Sequence, residues 1–490
     1  MSLETPQDAL ESPLVTTTRG PVRGERRADG SSRFLGIPYA KPPVGPLRFA
    51  APEPPEPWTE PLDATAYGPT AQRRPFAEVT TIPEPSVPGE GVLNLNVFTP
   101  AADPEAGLPV LVWIHGGGYV AGSAASPWYD GAAFNRDGVV LVSLGYRLGI
   151  EGFLHLEGAP DNRGVRDWVA ALEWVRDNIA RFGGDPAKVT IAGQSAGGGA
   201  VQTLLAVPSA RELFRGALSV SGAVMRPDGP EAARAAARLF TSRTGLPATV
   251  AALQDLSDDE LLDLQDRLGA PGPDREGLPP MLSLVPFADG ELIPEPVLDA
   301  LTEGDAGAGV PLLLGFTAHE FNMMPAPGPG GPPLPLLLGG LGLVGERAEE
   351  FTKAYADLDP AVLFGQAITD VTFRAPSLEV AEARAAREQP TWLYQFEWEA
   401  PVIGQAYHCL DLPFAFDLLD AENVTAVAGP HPPQSLADAM HRAWVAFITD
   451  QDPGADWPAY TTETRATKIW AETPRTENDP LAQVRALWHA

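Results

Sequence analysis

The sequence predicts an α/β protein built on a central, mostly parallel β-sheet with helices on both faces. Short runs of β-branched and aliphatic residues recur along the chain, as expected of buried strands. A clearly amphipathic helix separates two of these runs. A serine bracketed by glycines stands where one run gives way to a small-residue helix. Such alternation of strand and helix is typical of parallel sheets covered on both faces.

The apolar runs predict strands at definite places. In chain order they lie at 93–98, 110–114, 139–144, 189–192, 217–221, 310–315 and 392–398. Between the third and the fourth, apolar residues recur at helical spacing from 168 to 182, and Gly183-Gly184 follows as a helix end. The Pro-rich residues 34–60 predict a rigid coil on the surface, not a helix.

The second half of the chain adds helical insertions to the sheet. Residues 222–310 become helical and acidic in pattern, and a last helix is predicted at 436–448. A Pro/Gly/Leu segment at 325–343 has almost no charge, which predicts a lid or a pocket wall. We expect one domain over residues 1–490, with helical insertions at about 222–310 and 320–390.

The motif Gly193-Gln194-Ser195-Ala196-Gly197 follows the fourth predicted strand and opens the small-residue helix. A strand, a tight turn with serine at its apex and a helix match the G-x-S-x-G nucleophile elbow of α/β-hydrolases. The turn strains the backbone of the serine, so its neighbours must be small. Because the five-residue pattern alone is weak, other residues must support it.

A serine hydroxyl becomes a nucleophile when a histidine accepts its proton and an acid orients that histidine. In α/β-hydrolases the chain order is serine, acid, histidine. Glu320 directly follows the predicted strand 310–315, and His408 follows the predicted strand 392–398. We therefore predict Ser195, Glu320 and His408 as the catalytic residues. Three nearby acids precede the required position: Asp289, Asp299 and Asp305. The other six histidines precede the serine, adjoin the acid, or lie in a loop, on a helix edge or near the chain end: His115, His155, His319, His431, His441 and His489.

The run His115-Gly116-Gly117-Gly118 follows the predicted strand 110–114 and matches the HGGG motif of lipases and esterases. Glycines let bare backbone N–H groups approach an oxygen on which negative charge develops. We expect the N–H groups of Gly117, Gly118 and Ala196 to form an oxyanion hole. Side chains near these motifs are expected to line an apolar substrate pocket, with a place in the core as the alternative for each: Tyr119, Trp128, Phe316, Phe321, Met323 and Met324.

Composition excludes several classes of function. A net charge of −30 argues against nucleic-acid binding and would repel anionic membranes. No run of eighteen apolar residues exists, so no membrane span is expected. The single cysteine, Cys409, excludes an intramolecular disulfide, and residues 1–20 lack the basic start and apolar stretch of a signal peptide. We expect a cytoplasmic, monomeric enzyme.

Motifs spread over nearly the whole chain carry a resemblance to a known family. They are FLGIPYA at 34–40, PPVG at 42–45, LRF at 47–49, LNV at 95–97, YRLG at 146–149, GFL at 152–154 and FGGDP at 182–186. With the elbow and the HGGG run, they resemble the type-B carboxylesterase/lipase family, the cholinesterase-like branch of the α/β-hydrolases, and within it the bacterial para-nitrobenzyl-esterase-like carboxylesterases. The resemblance implies Ser195 as nucleophile, Glu320 as acid, His408 as base, and a small-molecule ester as substrate.

A few positions depart from the family pattern. Gln194 stands where glutamate is usual, which removes a buried charge beside the nucleophile. The usual Glu-Asp-Cys-Leu reads Glu90-Gly91-Val92-Leu93, and the partner cysteine near Ala71 is also missing. The N-terminal disulfide of the family therefore cannot form, which suits a reducing compartment. Gly145 and Trp168 also replace the usual asparagine and glutamine.

The predicted reaction is hydrolysis of uncharged carboxylic esters through an acyl-enzyme, without a metal or an organic cofactor. The same three residues would also serve amides, carbamates or lactones, so these substrates stay open as alternatives. A non-catalytic binding protein on the same fold is a more remote alternative, since such relatives lack the nucleophile and carry disulfides.

Overall fold

The computed structural model describes residues 12–72, 74, 80–272, 274–279, 281–324 and 333–488. The strands are β1 (Leu14–Thr16), β2 (Pro21–Arg23), β3 (Glu25–Arg26), β4 (Ser32–Pro38), β5 (Leu62–Asp63), β6 (Asn94–Thr99), β7 (Leu108–Ile114), β8 (Val140–Leu144), β9 (Gly184–Gln194), β10 (Gly216–Val220), β11 (Leu312–Thr317), β12 (Thr391–Phe396), β13 (Ala466–Trp470) and β14 (Arg475–Asn478). The α-helices are α1 (Ala132–Arg136), α2 (Gly149–Phe153), α3 (Arg163–Asn178), α4 (Ala196–Leu205), α5 (Pro230–Thr244), α6 (Val250–Leu253), α7 (Asp258–Gly269), α8 (Val297–Thr302), α9 (Leu334–Gly340), α10 (Glu346–Ala354), α11 (Leu363–Thr369), α12 (Ala375–Ala385), α13 (Leu412–Ala415), α14 (Val424–Ala428), α15 (Gln434–Asp450) and α16 (Ala482–Trp488).

One large sheet has the strand order β14-β13-β12-β11-β10-β9-β7-β8-β6-β4-β3 in the described part of the chain. From β8 across to β13 the neighbouring strands run parallel, whereas the pairs at both edges run antiparallel. A small second sheet pairs β1, β2 and β5. The predicted α/β class with a mostly parallel central sheet is confirmed.

Both faces of the sheet are buried. On β7, Val110, Val112 and Ile114 belong to a core that includes residues of α3 and α4, whereas Leu111 and Trp113 belong to a second core that includes residues of α15. Because side chains alternate along a strand, a strand with helices on both sides must be apolar throughout. This explains why the parallel strands read as continuous apolar runs in the sequence.

The sequence predicted a rigid coil over the whole Pro-rich segment 34–60. The structure corrects this prediction for the first residues of the segment. Its first residues belong to β4, which pairs antiparallel with β6, and Phe34 and Ile37 are fully buried. Gly36 between them has φ +71° at a register shift of this pair. Pro38 ends the strand, where its missing N–H removes no bond from the ladder interior. The remainder of the segment is irregular, apart from a 3₁₀ turn at Gly45–Leu47.

The predicted helical insertions contain α5 to α8 after β10 and α9 to α12 after β11. Of the uncharged segment 325–343, residues 325–332 lie outside the described residues, and α9 follows them. Leu338, Leu341 and Leu343 pack with Phe351 and Leu363 in a small cluster of their own. His489 also lies outside the described residues. Among the described helices, none combines the length and the apolarity needed to cross a membrane.

The loops that follow the parallel strands carry the predicted site residues. His115 to Gly118 follow β7, Ser195 follows β9, Glu320 follows β11 and His408 follows β12. The carboxyl ends of parallel strands lie at one edge of a sheet, which is where open α/β proteins form their sites.

Candidate active site

Ser195 occupies a sharp turn between β9 and α4. Its backbone has φ +59° and ψ −122°, a region that residues other than glycine rarely adopt. Hydrogen bonds hold it there: its N–H donates to the carbonyl of Val220 at 2.9 Å, and its own carbonyl accepts from the N–H groups of Gly199 at 2.9 Å and Ala223 at 3.1 Å. The strain at Ser195 is therefore balanced by bonds to the neighbouring strand and to the helix that it begins.

The glycines of the elbow are required by close backbone contacts. A Cβ atom added to Gly193 would lie 2.4 Å from the carbonyl oxygen of Gly197. One added to Gly197 would lie 2.0 Å from the carbonyl oxygen of Ile114 at the end of β7. Neither position has room for a side chain, so the G-x-S-x-G pattern follows from packing between β7, β9 and α4.

Glu320 and His408 form a directly hydrogen-bonded pair. Nδ1 of His408 donates to Oε2 of Glu320, and the backbone N–H of His408 donates to the carbonyl oxygen of Glu320 at 3.0 Å. Glu320 is fully buried. Its other carboxylate oxygen, Oε1, accepts from the hydroxyl of Ser221 at 2.6 Å and from the N–H of Thr317 at 2.8 Å. The carboxylate is thus fixed on both sides, and it fixes the imidazole.

This pairing also determines how readily His408 accepts a proton. Burial opposes the charged imidazolium, but Cys409 and the Glu320 carboxylate outweigh it and raise the pKa of His408 well above its ordinary value of 6.5. Burial raises the pKa of the Cys409 thiol in turn. The carboxylate of Glu320, which binds Nδ1 directly, stabilises the imidazolium.

His408 reaches the elbow through Gln194, the residue before the serine. The side-chain nitrogen of Gln194 lies 3.1 Å from Nε2 of His408, the ring nitrogen that faces away from Glu320. On the same side, a Cβ atom added to Gly116 would lie 3.1 Å from Cβ of Ser195 and 2.9 Å from Oε1 of Gln194. The three predicted catalytic residues and the HGGG run thus meet at one place.

The HGGG run forms a tight loop with unusual backbone angles. Gly117 and Gly118 have φ +111° and +60°. A Cβ atom on Gly117 would lie 2.2 Å from the carbonyl oxygen of Ala121, so that position admits only glycine. Among the described residues, none accepts a hydrogen bond from the N–H groups of Gly117, Gly118 or Ala196. Three backbone donors of the HGGG loop and the elbow are thus left free.

The imidazole of His115 contacts the backbone of this loop. Its Nδ1 lies 2.8 Å from the carbonyl oxygen of Gly116, and its ring stacks on Tyr146 with centroids 4.5 Å apart. Tyr146 donates its hydroxyl to the carbonyl oxygen of His115 at 2.9 Å. Burial lowers the pKa of His115 to about 4, so the ring is neutral near pH 7. Its part is structural.

The residues expected to line the substrate pocket divide into three groups. Phe321 packs against His408, with ring centroids 4.9 Å apart. Met323 and Met324 are 42% and 37% exposed. The other three, Tyr119, Trp128 and Phe316, are at most 1% exposed and belong to the core, the alternative that the sequence left open for each. The ring of Tyr119 packs against Phe153 and Trp168.

Several residues of the site were missed from the sequence. Phe373 packs on His408 with centroids 5.1 Å apart and stacks on Phe321. It lies in a π-helical turn at Asp370–Arg374, for which the sequence gives no recognisable signal. Ser221 supports Glu320 and could have been found, because it directly follows β10. Behind the pair lies Asp411, which is fully buried and accepts a 2.8 Å hydrogen bond from the hydroxyl of Tyr394.

A large, mostly parallel sheet, a serine on a strained strand-to-helix turn and a buried carboxylate–histidine pair define an α/β-hydrolase. The model of the carboxylesterase family matches residues 11–329 and 355–488 of the chain. The para-nitrobenzyl esterase of Bacillus subtilis is 38% identical, over 96% of this chain and 97% of its own. A liver carboxylesterase of Sus scrofa is 35% identical, over 94% of this chain and 90% of its own.

Solved structures agree with these matches. A thermophilic PNB esterase superposes with a TM-score of 0.85 at 36% identity and covers 97% of this chain and 100% of its own. A Geobacillus stearothermophilus carboxylesterase superposes with a TM-score of 0.78 at 35% identity, over 97% and 99% of the two chains. The chain belongs to the carboxylesterase family. It is a carboxylic ester hydrolase with the α/β-hydrolase fold.

Proposed function

We propose that this carboxylesterase hydrolyses uncharged carboxylic esters through an acyl-enzyme on Ser195, with His408 as base and Glu320 as the acid that orients it. The observation that carries the proposal is the buried pair of His408 and Glu320. Its carboxylate is held by Ser221 and Thr317, so the imidazole presents Nε2 toward the elbow. An imidazole held in this way is the proton acceptor that a serine nucleophile needs.

In the first half-reaction, Oγ of Ser195 attacks the ester carbonyl and its proton passes to Nε2 of His408. The negative charge on the former carbonyl oxygen is stabilised by the free N–H groups of Gly117, Gly118 and Ala196. Collapse of this intermediate breaks the bond to the alcohol, which takes the proton from His408 as it leaves. In the second half, water gives a proton to His408 and attacks the acyl-enzyme. Collapse of this second intermediate breaks the bond to Oγ of Ser195, which takes the proton back from His408 as the acid leaves.

The surroundings of His408 support uncharged ester groups as substrates. The rings of Phe321 and Phe373 cover the imidazole, with centroids 4.9 and 5.1 Å away. An ionised group placed there would lose its hydration without a partner of opposite charge among these rings. Amides, carbamates and lactones share the same chemistry, and rates on matched substrates distinguish them.

Substitution of the nucleophile tests the proposal. Ser195→Ala should lower kcat for p-nitrophenyl ester hydrolysis by roughly 10³- to 10⁶-fold, because the attacking atom is lost. Ser209→Ala is the matched control, since Ser209 is an exposed serine shortly after the same helix. The control should keep the wild-type rate. Retained hydrolysis by Ser195→Ala would refute the role of Ser195.

We further propose that residues 1–490 act as one catalytic domain and that the protein works as a cytoplasmic monomer. The site draws on loops after β7, β9, β10, β11 and β12, so most of the chain contributes to one site. The single cysteine leaves no intramolecular disulfide that would need an oxidising compartment. Sedimentation velocity at micromolar concentration would reveal a dimer if this expectation of a monomer is wrong.

A further inference from the structure

The ring nitrogen of His408 that would accept the proton already has a hydrogen-bond partner. Because Nδ1 donates to Glu320, the neutral imidazole carries its lone pair on Nε2. The side-chain nitrogen of Gln194 lies 3.1 Å from that lone pair. An amide N–H is a donor, so Gln194 donates to the neutral form of His408.

The surroundings of Gln194 orient its side-chain amide in the free enzyme. Gln194 is the last residue of β9 and is 1% exposed. Its Oε1 lies on the side of Gly116, where a Cβ atom at residue 116 would approach it to 2.9 Å. Glycine at 116 thus leaves the room that the amide occupies. With the oxygen on that side, the amide nitrogen faces the histidine.

The chemistry of this contact depends on the side chain being an amide. A carboxylate of the same shape has no N–H to donate, so it would bind only the protonated imidazole and would favour it by its charge. The amide stabilises the neutral imidazole instead. Ester hydrolysis by the proposed mechanism starts from that neutral form, because only it can take the proton of Ser195.

We propose that Gln194 is a positioning residue that donates a hydrogen bond to Nε2 of neutral His408 and keeps this base proton-free to a lower pH than a carboxylate in its place would allow. The inference rests on the proposed function for its catalytic meaning. When Ser195 attacks, its hydroxyl takes the place of the amide at Nε2 and transfers its proton there. Gln194 then returns after the alcohol has left.

Other ionisable groups also face His408 and stay the same when Gln194 is replaced. Glu320 binds Nδ1, Cys409 is the next residue in the chain, and Asp411 directly precedes α13 behind the pair. Phe321 and Phe373 cover the ring and carry no charge. If replacing residue 194 changes the titration of His408, the change therefore reports the contact with Gln194.

The test compares wild type with Gln194→Glu and Gln194→Met by the pH dependence of kcat/KM, which reports the ionisation of the free enzyme. Gln194→Glu should move the acid-side midpoint up by about one pH unit or more, as an opposite charge at this distance does. Gln194→Met, which has similar length but no donor, should give a midpoint between the two. The inference is overturned if the midpoint of either variant lies at or below that of the wild type.

A second readout does not need activity. In the Ser195→Ala background, the imidazole nitrogens of ¹⁵N-histidine-labelled protein can be titrated by NMR, with the His408 signals assigned by their loss in His408→Ala. The pKa of His408 should rise in the order Gln, Met, Glu at position 194. Equal values would overturn the inference even if Ser195 is the nucleophile. If Ser195→Ala were fully active, the proposed function would fail while this order still decided the role of Gln194.

Discussion

The hydroxyl of Ser221 donates a 2.6 Å hydrogen bond to Oε1 of Glu320, although 99 residues separate the two in the chain. The contact exists because β10 and β11 are parallel neighbours, with Val220 opposite Gly315. Ser221 leaves the end of β10 with φ +45°, and Glu320 lies just past the end of β11. The donor thus fixes the carboxylate oxygen that does not bind His408.

Removal of this donor should weaken the site without removing any reacting group. Hydrogen bonds to charged groups contribute about 1.5–3 kcal/mol, so Ser221→Ala should lower kcat/KM by roughly one to two orders of magnitude. The matched control is Ser219→Ala, two residues earlier on β10, whose hydroxyl donates to the carbonyl of Gly198 and not to Glu320. Steady-state kinetics on one p-nitrophenyl ester compare the two. Equal losses in both variants would show that the Ser221 contact has no special part.

Gly117 and Gly118, the last two glycines of the HGGG loop, should respond differently to the same change. Gly117→Ala places a Cβ atom 2.2 Å from a backbone oxygen, so the loop must shift and the free N–H donors must move. Loss of one oxyanion donor costs about 10²- to 10³-fold in kcat. Gly118→Ala meets only a side-chain carbon at 3.3 Å, although φ +60° remains unfavourable for alanine. We expect the first variant to lose far more kcat than the second, and the reverse order would contradict the proposed oxyanion hole.

Because of Asp411, we expect the free energy of unfolding to decrease as the pH rises. Burial, and then the nearby Glu320, raise the pKa of Asp411 to about 7. The native state therefore holds this proton more tightly than the unfolded chain, in which such a carboxyl titrates near 3.8. The stabilising contribution is complete below about pH 4 and is lost as the pH rises through about 7.

Asp411→Asn removes this proton-linked contribution. The free energy of unfolding of the variant, relative to wild type, should increase by on the order of 2 kcal/mol between pH 5 and pH 8. Urea denaturation at both pH values measures it. Asp420→Asn, a change at an exposed position, serves as the control and should show no such trend. If the Asp411→Asn and wild-type curves run parallel over this range, Asp411 does not titrate there.

Local patterns in the sequence were enough to predict strands β6 to β12 of the large sheet and the residues that follow them at its edge, but not its outer strands β3, β4, β13 and β14. Strands buried on both faces must be apolar throughout, and β7 to β12 are visible for that reason. Chain order placed Glu320 after β11 and His408 after β12, and the structure brings their side chains into contact. These expectations depended on short segments and on the rule that parallel strands end at the same edge.

What the sequence missed depends on contacts between distant segments. The support of Glu320 by Ser221 requires knowing that β10 adjoins β11. Phe373 packs on His408 from a π-helical turn inside an insertion. No periodicity in the sequence predicts such a turn. The choice between pocket and core for Tyr119 also depends on distant segments, since its ring packs against Phe153 and Trp168. The prolines of 34–60 favour coil, but burial of Phe34 and Ile37 against the sheet places residues 34–38 in β4.

Trapping of the acyl-enzyme tests the central claim most directly. The protein is mixed with excess p-nitrophenyl butyrate, quenched in acid within milliseconds and digested with trypsin for mass spectrometry. We predict one butyryl group on the peptide 189–211, at Ser195 and not at Ser209, together with a burst of one p-nitrophenol per active site. The adduct should be absent from Ser195→Ala. A burst with the acyl group on any other residue would contradict the account.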